Sequence, residues 1–141
     1  MEGATKGMAS LKHVAITVRD LDRSIRFYSE IFGFKLLKVK SKPEFGVTYA
    51  HLKAGEVDLE LLTPLKGEPQ TQKSTGDDLT TKLCEAGLNH IALKVENLGG
   101  ICERLRAWNV RFLMEPKFSG GSGTAFVLDP EGNLLELSQE P

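Results

Sequence analysis

The chain is written twice. Leu11-Lys12-His13-Val14-Ala15-Ile16-Thr17-Val18-Arg19-Asp20-Leu21 aligns with Leu88-Asn89-His90-Ile91-Ala92-Leu93-Lys94-Val95-Glu96-Asn97-Leu98 at an offset of 77, and seven of the eleven columns are identical or close apolar exchanges. Phe34-Lys35-Leu36-Leu37 then meets Val110-Arg111-Phe112-Leu113, and Leu59-Glu60-Leu61 meets Leu135-Glu136-Leu137, both at an offset of 76. One residue of drift is a loop adjustment, and chance similarity does not hold register over so long a span. A repeat of this kind means one supersecondary unit used twice. The 141 residues suffice for one compact domain, or for two very small halves sharing a core.

Both halves have the same pattern of elements. Residues 11–18 alternate and are rich in aliphatic and β-branched side chains, which predicts a strand. Asp20 or Asp22 can cap a helix in which Leu21, Ile25, Tyr28 or Ser29, and Phe32 recur at helical spacing, with Gly33 as its stop. Strands follow at about 34–41, 46–53 and 57–63. The second half gives a strand at 88–95, a helix at about 98–108 opened by Asn97, and strands near 110–115, 123–128 and 133–139. Asp129-Pro130-Glu131-Gly132-Asn133 is a turn cluster before the last of these. The expected fold is α+β, with two βαβββ modules forming a curled mixed sheet. Residues 1–10 are a tail, 11–63 the first module, 64–87 a polar linker with a helical turn or two from Leu79, and 88–141 the second module. Such a linker is long for a compact domain and points to a lid or a tether.

Strand alternation sorts the polar residues by face. Val14, Ile16 and Val18 belong to a core, which leaves His13, Ala15 and Thr17 opposite. In the repeat, Ile91, Leu93 and Val95 go inward, leaving His90 out. Glu60 and Glu136 each sit between two inward leucines and point away from the core. A lone histidine on a strand is usually hydrogen-bonded or solvent-facing, and a lone glutamate between leucines is usually the polar side of an amphipathic strand. Here the His-to-Glu separation is 47 residues in one half and 46 in the other. If two such sheets curl toward each other, His13, Glu60, His90 and Glu136 converge in one cleft as ligands for a divalent metal ion. Two imidazoles and two carboxylates suit a first-row divalent ion with open positions for water or substrate, whereas a closed zinc site more often uses thiolates.

These residues resemble the vicinal oxygen chelate superfamily, specifically its glyoxalase I and methylmalonyl-CoA epimerase branches, over about residues 11–139. The matching motifs are Leu11-Lys12-His13-Val14-Ala15, Leu21-Asp22-Arg23-Ser24-Ile25-Arg26-Phe27-Tyr28, Leu59-Glu60-Leu61-Leu62, Gly87-Leu88-Asn89-His90-Ile91-Ala92-Leu93, and Asp129-Pro130-Glu131-Gly132-Asn133-Leu134-Leu135-Glu136-Leu137. The glyoxalase I likeness lies in Ile25-Arg26-Phe27-Tyr28 through Lys35-Leu36-Leu37. The epimerase likeness lies in Pro43-Glu44-Phe45-Gly46-Val47 and Glu60-Leu61-Leu62-Thr63-Pro64-Leu65. Relatives that cleave aromatic rings or confer fosfomycin resistance look like three-ligand sites with two His and one Glu, and Glu60 argues against both.

The resemblance implies an enzyme that moves a proton beside a carbonyl. Negative charge then builds on oxygen, as an enediolate or enolate, and a divalent ion such as nickel, cobalt, zinc or manganese stabilises it. By likeness to glyoxalase I, Glu136 or Glu60 acts as base. By likeness to the epimerase, Glu44 is a second candidate, although it also reads as a solvated turn carboxylate. The expected substrate is a small molecule, a thiol adduct of a 2-oxoaldehyde or an acyl-CoA thioester. The alternatives are a methylmalonyl-CoA epimerase-like activity and a non-catalytic binding or resistance protein. A homodimer is expected, with the modules pairing within one chain or exchanging between two.

Composition narrows the field. A formal net charge of -1 gives no basic surplus for nucleic acid. No apolar run approaches the roughly 20 residues that span a bilayer, and the first ten residues lack a secretory apolar stretch. Cytoplasmic residence is the default expectation. Cys84 and Cys102 read as two reduced structural thiols. His51 has no repeat partner and reads as structural or cleft-lining, Trp108 as core, and the run Ser119 to Gly123 as a plain hairpin loop or a phosphate-contacting one.

Overall fold

The computed structural model describes residues 7–70 and 78–141. The first six residues of the expected tail and 71–77 of the expected linker lie outside that range. The element order is β1(His13–Thr17), α1(Leu21–Phe32), β2(Lys35–Lys42), β3(Val47–Ala54), β4(Val57–Pro64), α2(Leu79–Leu83), β5(Ile91–Lys94), α3(Leu98–Ala107), β6(Phe112–Ser119), β7(Ser122–Leu128) and β8(Leu134–Gln139). The fold is α+β: two four-stranded mixed sheets, ordered β1-β4-β3-β2 and β5-β8-β7-β6, each with one parallel pair and neither closed into a barrel. Two compact units are distinguished, Met1–Ile25 with Phe34–Pro69, and Arg26–Gly33 with Gln70–Pro141.

In the first unit β1 runs parallel to β4, and β3 lies antiparallel between β4 and β2. Ile16, Ala50, Leu52, Leu59 and Leu61 are buried on one face, each large side chain contributing about 1.5–3 kcal/mol by leaving water. β2 is the outer strand, and Lys35, Lys38, Lys40 and Lys42 guard its unpaired edge against strand addition.

The second unit repeats this plan, with Ala125, Val127, Leu135 and Leu137 buried. Asn97 caps α3, its side chain accepting from the Gly100 N–H at 3.0 Å. Gly120 and Gly121, at φ 58° and 89°, close β6 onto β7 as a two-residue hairpin between paired Ser119 and Ser122.

α1 starts at Asp20, whose Oδ1 accepts from the Arg23 N–H at 3.0 Å, and stops at Gly33, φ 72°. Its buried stripe is Ser24, Phe27, Tyr28 and Ile31, while Leu21, Ile25 and Phe32 are half-buried. The boundary between the units falls inside this helix. Within the second unit the Phe27 ring meets Trp108 edge-on at 5.4 Å, and the Tyr28 hydroxyl donates to Asp129 Oδ2 at 2.6 Å. Asp129 Oδ1 also accepts from the Glu131 and Asn133 N–H groups, which locks the turn before β8. Burial raises the Asp129 carboxyl above its ordinary range although these hydrogen bonds oppose the shift. Both cysteines are free thiols, Cys84 exposed and Cys102 buried.

Candidate metal centre

Register places the donors. Glu60 on β4 faces Ala15 on β1 and His51 on β3. The methyl group of Ala15 leaves room for His13, two residues earlier on the same face, to lean toward the carboxylate. His13 Nε2 lies 3.5 Å from Glu60 Oε1, while His51 Nε2 lies 2.6 Å from Glu60 Oε2. The two imidazole rings are tilted at 60° with centroids 5.6 Å apart. All three side chains are half-buried, and their donor atoms lie within 4.8 Å of one another.

The second unit has the same geometry with one exchange. Glu136 on β8 faces Ala92 on β5 and Phe126 on β7. His90, again two residues before the alanine, brings Nε2 to 3.1 Å from Glu136 Oε1. Phe126 occupies the place that His51 holds in the first unit, and its ring lies 5.7 Å from that of His90. The repeat partner of His51 is thus an aromatic hydrocarbon, which hides the correspondence in the sequence.

His90 stands just before β5 instead of inside a strand starting at residue 88, because its neighbour is tied elsewhere. The Asn89 amide nitrogen donates to the Lys82 carbonyl at 2.8 Å and the Glu85 carbonyl at 3.3 Å. Asn89 Oδ1 therefore accepts, and at 2.8 Å it fixes the hydrogen of His90 on Nδ1. That leaves Nε2, 3.1 Å from Glu136 Oε1, as the ring nitrogen that can share a cation with the carboxylate. Metal-binding histidines are commonly oriented by an outer hydrogen bond of this kind. Neither Asn89 nor His51 was singled out as a site residue by the sequence.

These donors fit a divalent ion. His13 Nδ1 is buried with no hydrogen-bond partner among the described residues, and Nε2 stands too far from Glu60 for a good hydrogen bond. An imidazole Nε2 that faces a carboxylate oxygen without a good hydrogen bond to it can share a cation with it, and imidazole with carboxylate suits first-row divalent ions. Glu44, by contrast, is exposed on the turn between β2 and β3. His51 is four residues beyond Val47, where β3 leaves that turn, or about 13 Å of strand.

The Glyoxalase/Bleomycin resistance protein/Dioxygenase superfamily description matches residues 10–137. The lactoylglutathione lyase of Escherichia coli O157:H7 is 34% identical over 132 residues, covering 92% of this chain and 92% of that protein. The mitochondrial methylmalonyl-CoA epimerase of Homo sapiens is 30% identical over 141 residues, covering 97% of this chain and 77% of that protein. The chain spans about half, 47%, of the Arabidopsis thaliana lactoylglutathione lyase GLX1, at 33% identity. Among solved structures, the trypanothione-dependent glyoxalase I of Leishmania major superposes with a TM-score of 0.72 at 32% identity, covering 94% of this chain and 87% of that one. With two matching β-α-β-β-β units and a His–Glu pair in each, the chain belongs to the Glyoxalase/Bleomycin resistance protein/Dioxygenase superfamily.

Proposed function

We propose that the protein is a metal-dependent isomerase or lyase of the glyoxalase I type, acting on the thiol adduct of a 2-oxoaldehyde. The observation that carries this is the duplicated His–Glu pair, His13 with Glu60 and His90 with Glu136, each histidine two residues before the alanine that faces its glutamate. We take these four side chains as the ligand set of one divalent ion: nickel, cobalt, zinc or manganese. The ion supplies positive charge beside the substrate oxygen on which negative charge develops as the neighbouring carbon loses its proton.

The chain's own groups do the rest. Glu136 or Glu60 takes the proton and returns it to the adjacent carbon, the role its place on the polar face permits. His13 and His90 would hold the ion through Nε2, beside the two carboxylates. We take the reaction to run in the cytoplasm and the assembly to be a homodimer. Among the described residues no helix is long and apolar enough to cross a membrane.

The likeness to methylmalonyl-CoA epimerase supports a second reaction with the same machinery. There the proton returns to the opposite face of the same carbon of an acyl-CoA thioester, with Glu44 as a further acid or base. Turnover assays on the hemithioacetal of methylglyoxal and on a chiral 2-methyl acyl-CoA, each with added nickel, cobalt, manganese or zinc, separate the two. Turnover of the hemithioacetal is expected. Epimerisation alone transfers the protein to the second reading, and no turnover of either in metal-replete protein leaves a binding protein.

A further inference from the structure

His51 is the one imidazole that duplication does not account for. It pairs directly with Glu60 across the antiparallel β3–β4 ladder, and its Nε2 meets Oε2 at 2.6 Å, a short hydrogen bond between half-buried groups. The other oxygen, Oε1, is the one turned to His13. The two oxygens of Glu60 are therefore used differently. One accepts a hydrogen bond from His51, while the other faces a histidine across a gap of 3.5 Å, too long for a strong hydrogen bond and suitable for a shared cation.

The second unit is an internal control. There the equivalent position is Phe126, which can donate nothing, and among the described residues only His90 is placed on Glu136, at 3.1 Å. The Tyr49 ring, 5.2 Å from His51 and itself buried, supports the imidazole from the preceding position on the same face. A buried strand that could have carried a hydrocarbon, as its repeat does, carries a hydrogen-bond donor aimed at a proposed ligand.

We propose that His51 is a positioning residue: its Nε2–H holds Oε2 of Glu60 and so presents Oε1, beside His13, to the ion. This rests on the four-ligand reading and adds to it that the two carboxylates are held unequally. The Glu60 carboxylate is anchored from outside the ligand set, and the Glu136 carboxylate is not anchored at that position.

The test uses cobalt(II) as probe, with binding followed by competition against a chelating dye and by the visible absorption of the bound ion. His51→Phe reproduces the natural residue of the other unit. It is expected to weaken cobalt binding about tenfold to a hundredfold, the usual effect of removing an outer partner of a ligand, while the cobalt band keeps its intensity. His51→Gln, whose amide nitrogen reaches about as far as the imidazole Nε2, restores affinity to within a few-fold. In metal-free protein, ¹⁵N NMR of the histidine rings is expected to show His51 with its proton on Nε2 in the parent and an undisturbed His90 in His51→Phe, which separates positioning from misfolding. Unchanged cobalt affinity in His51→Phe overturns the proposal. A rise in band intensity there overturns it too, since a lower coordination number makes His51 a ligand. If the parent protein binds no cobalt at all, the four-ligand reading fails first, and the positioning role falls with it.

Discussion

Asn89 commits both amide hydrogens to carbonyls at the end of α2, so only its oxygen remains for His90. That arrangement sets which ring nitrogen carries the proton and points the other at Glu136. Asn89→Ala should weaken divalent-ion binding about tenfold to a hundredfold without unfolding the chain, a change that calorimetric titration with zinc would register. Asn89→Asp, which keeps the accepting oxygen, should lose less. The sequence could assign His90 to the polar face from strand parity alone. It could not show Asn89 as its partner, because that contact depends on where α2 ends relative to the strand. His51 was hidden for a related reason. Its parity matches Tyr49 and Lys53, but only the β3–β4 register shows that Glu60, and not another residue of β4, is its neighbour.

At the scale of elements the periodicities were informative because one face of each strand is apolar. The leucines on either side of Glu60 and Glu136 fix both glutamates away from the core, since a one-residue slip would bury a carboxylate. β2, β6 and β8 reach their observed ends within a few residues of the pattern, while β5 is shorter than expected because its first residues are engaged with α2. The division of α1 between units was not legible. Leu21, Ile25, Tyr28 and Phe32 carry the helical spacing, yet Leu21, Ile25 and Phe32 are only half-buried, and the buried Phe27 and Tyr28 have partners about eighty to a hundred residues away.

The Tyr28–Asp129 contact has its own consequence for stability. Burial, then the Asp129 charge and the hydrogen bond to it, hold the Tyr28 hydroxyl well above its ordinary value of 10.0. The folded chain therefore keeps this proton after the unfolded chain has lost it. The resulting stability is fully present below pH 10 and declines as pH rises from there toward the raised value. Tyr28→Phe should cost about 1–3 kcal/mol at neutral pH, because a buried carboxylate loses a donor. It should also abolish this alkaline decline. Urea unfolding at a series of pH values up to 11 measures both, and a variant that keeps the parent's slope above pH 10 would assign the decline to other groups.

For the whole molecule, the proposed ligand set takes one His–Glu pair from each unit, and the assembly decides which pairs meet. A sample of His13→Ala chains mixed and refolded with His90→Ala chains distinguishes the two possibilities. If modules exchange between chains, the mixed dimer regains one intact site out of two. Pairing within a chain regains none, so activity stays at the background of the separate variants. The recovered activity, read against the fraction of mixed dimer measured by native mass spectrometry, gives the answer.

The most direct measurement is the metal content of purified protein loaded with nickel, cobalt, manganese or zinc and then dialysed, in the parent and in Glu60→Gln and Glu136→Gln. A single ion shared by both pairs predicts an equimolar ion in the parent and its loss in either variant. Full retention in Glu136→Gln, with the ion held by His13, His51 and Glu60 alone, would contradict it.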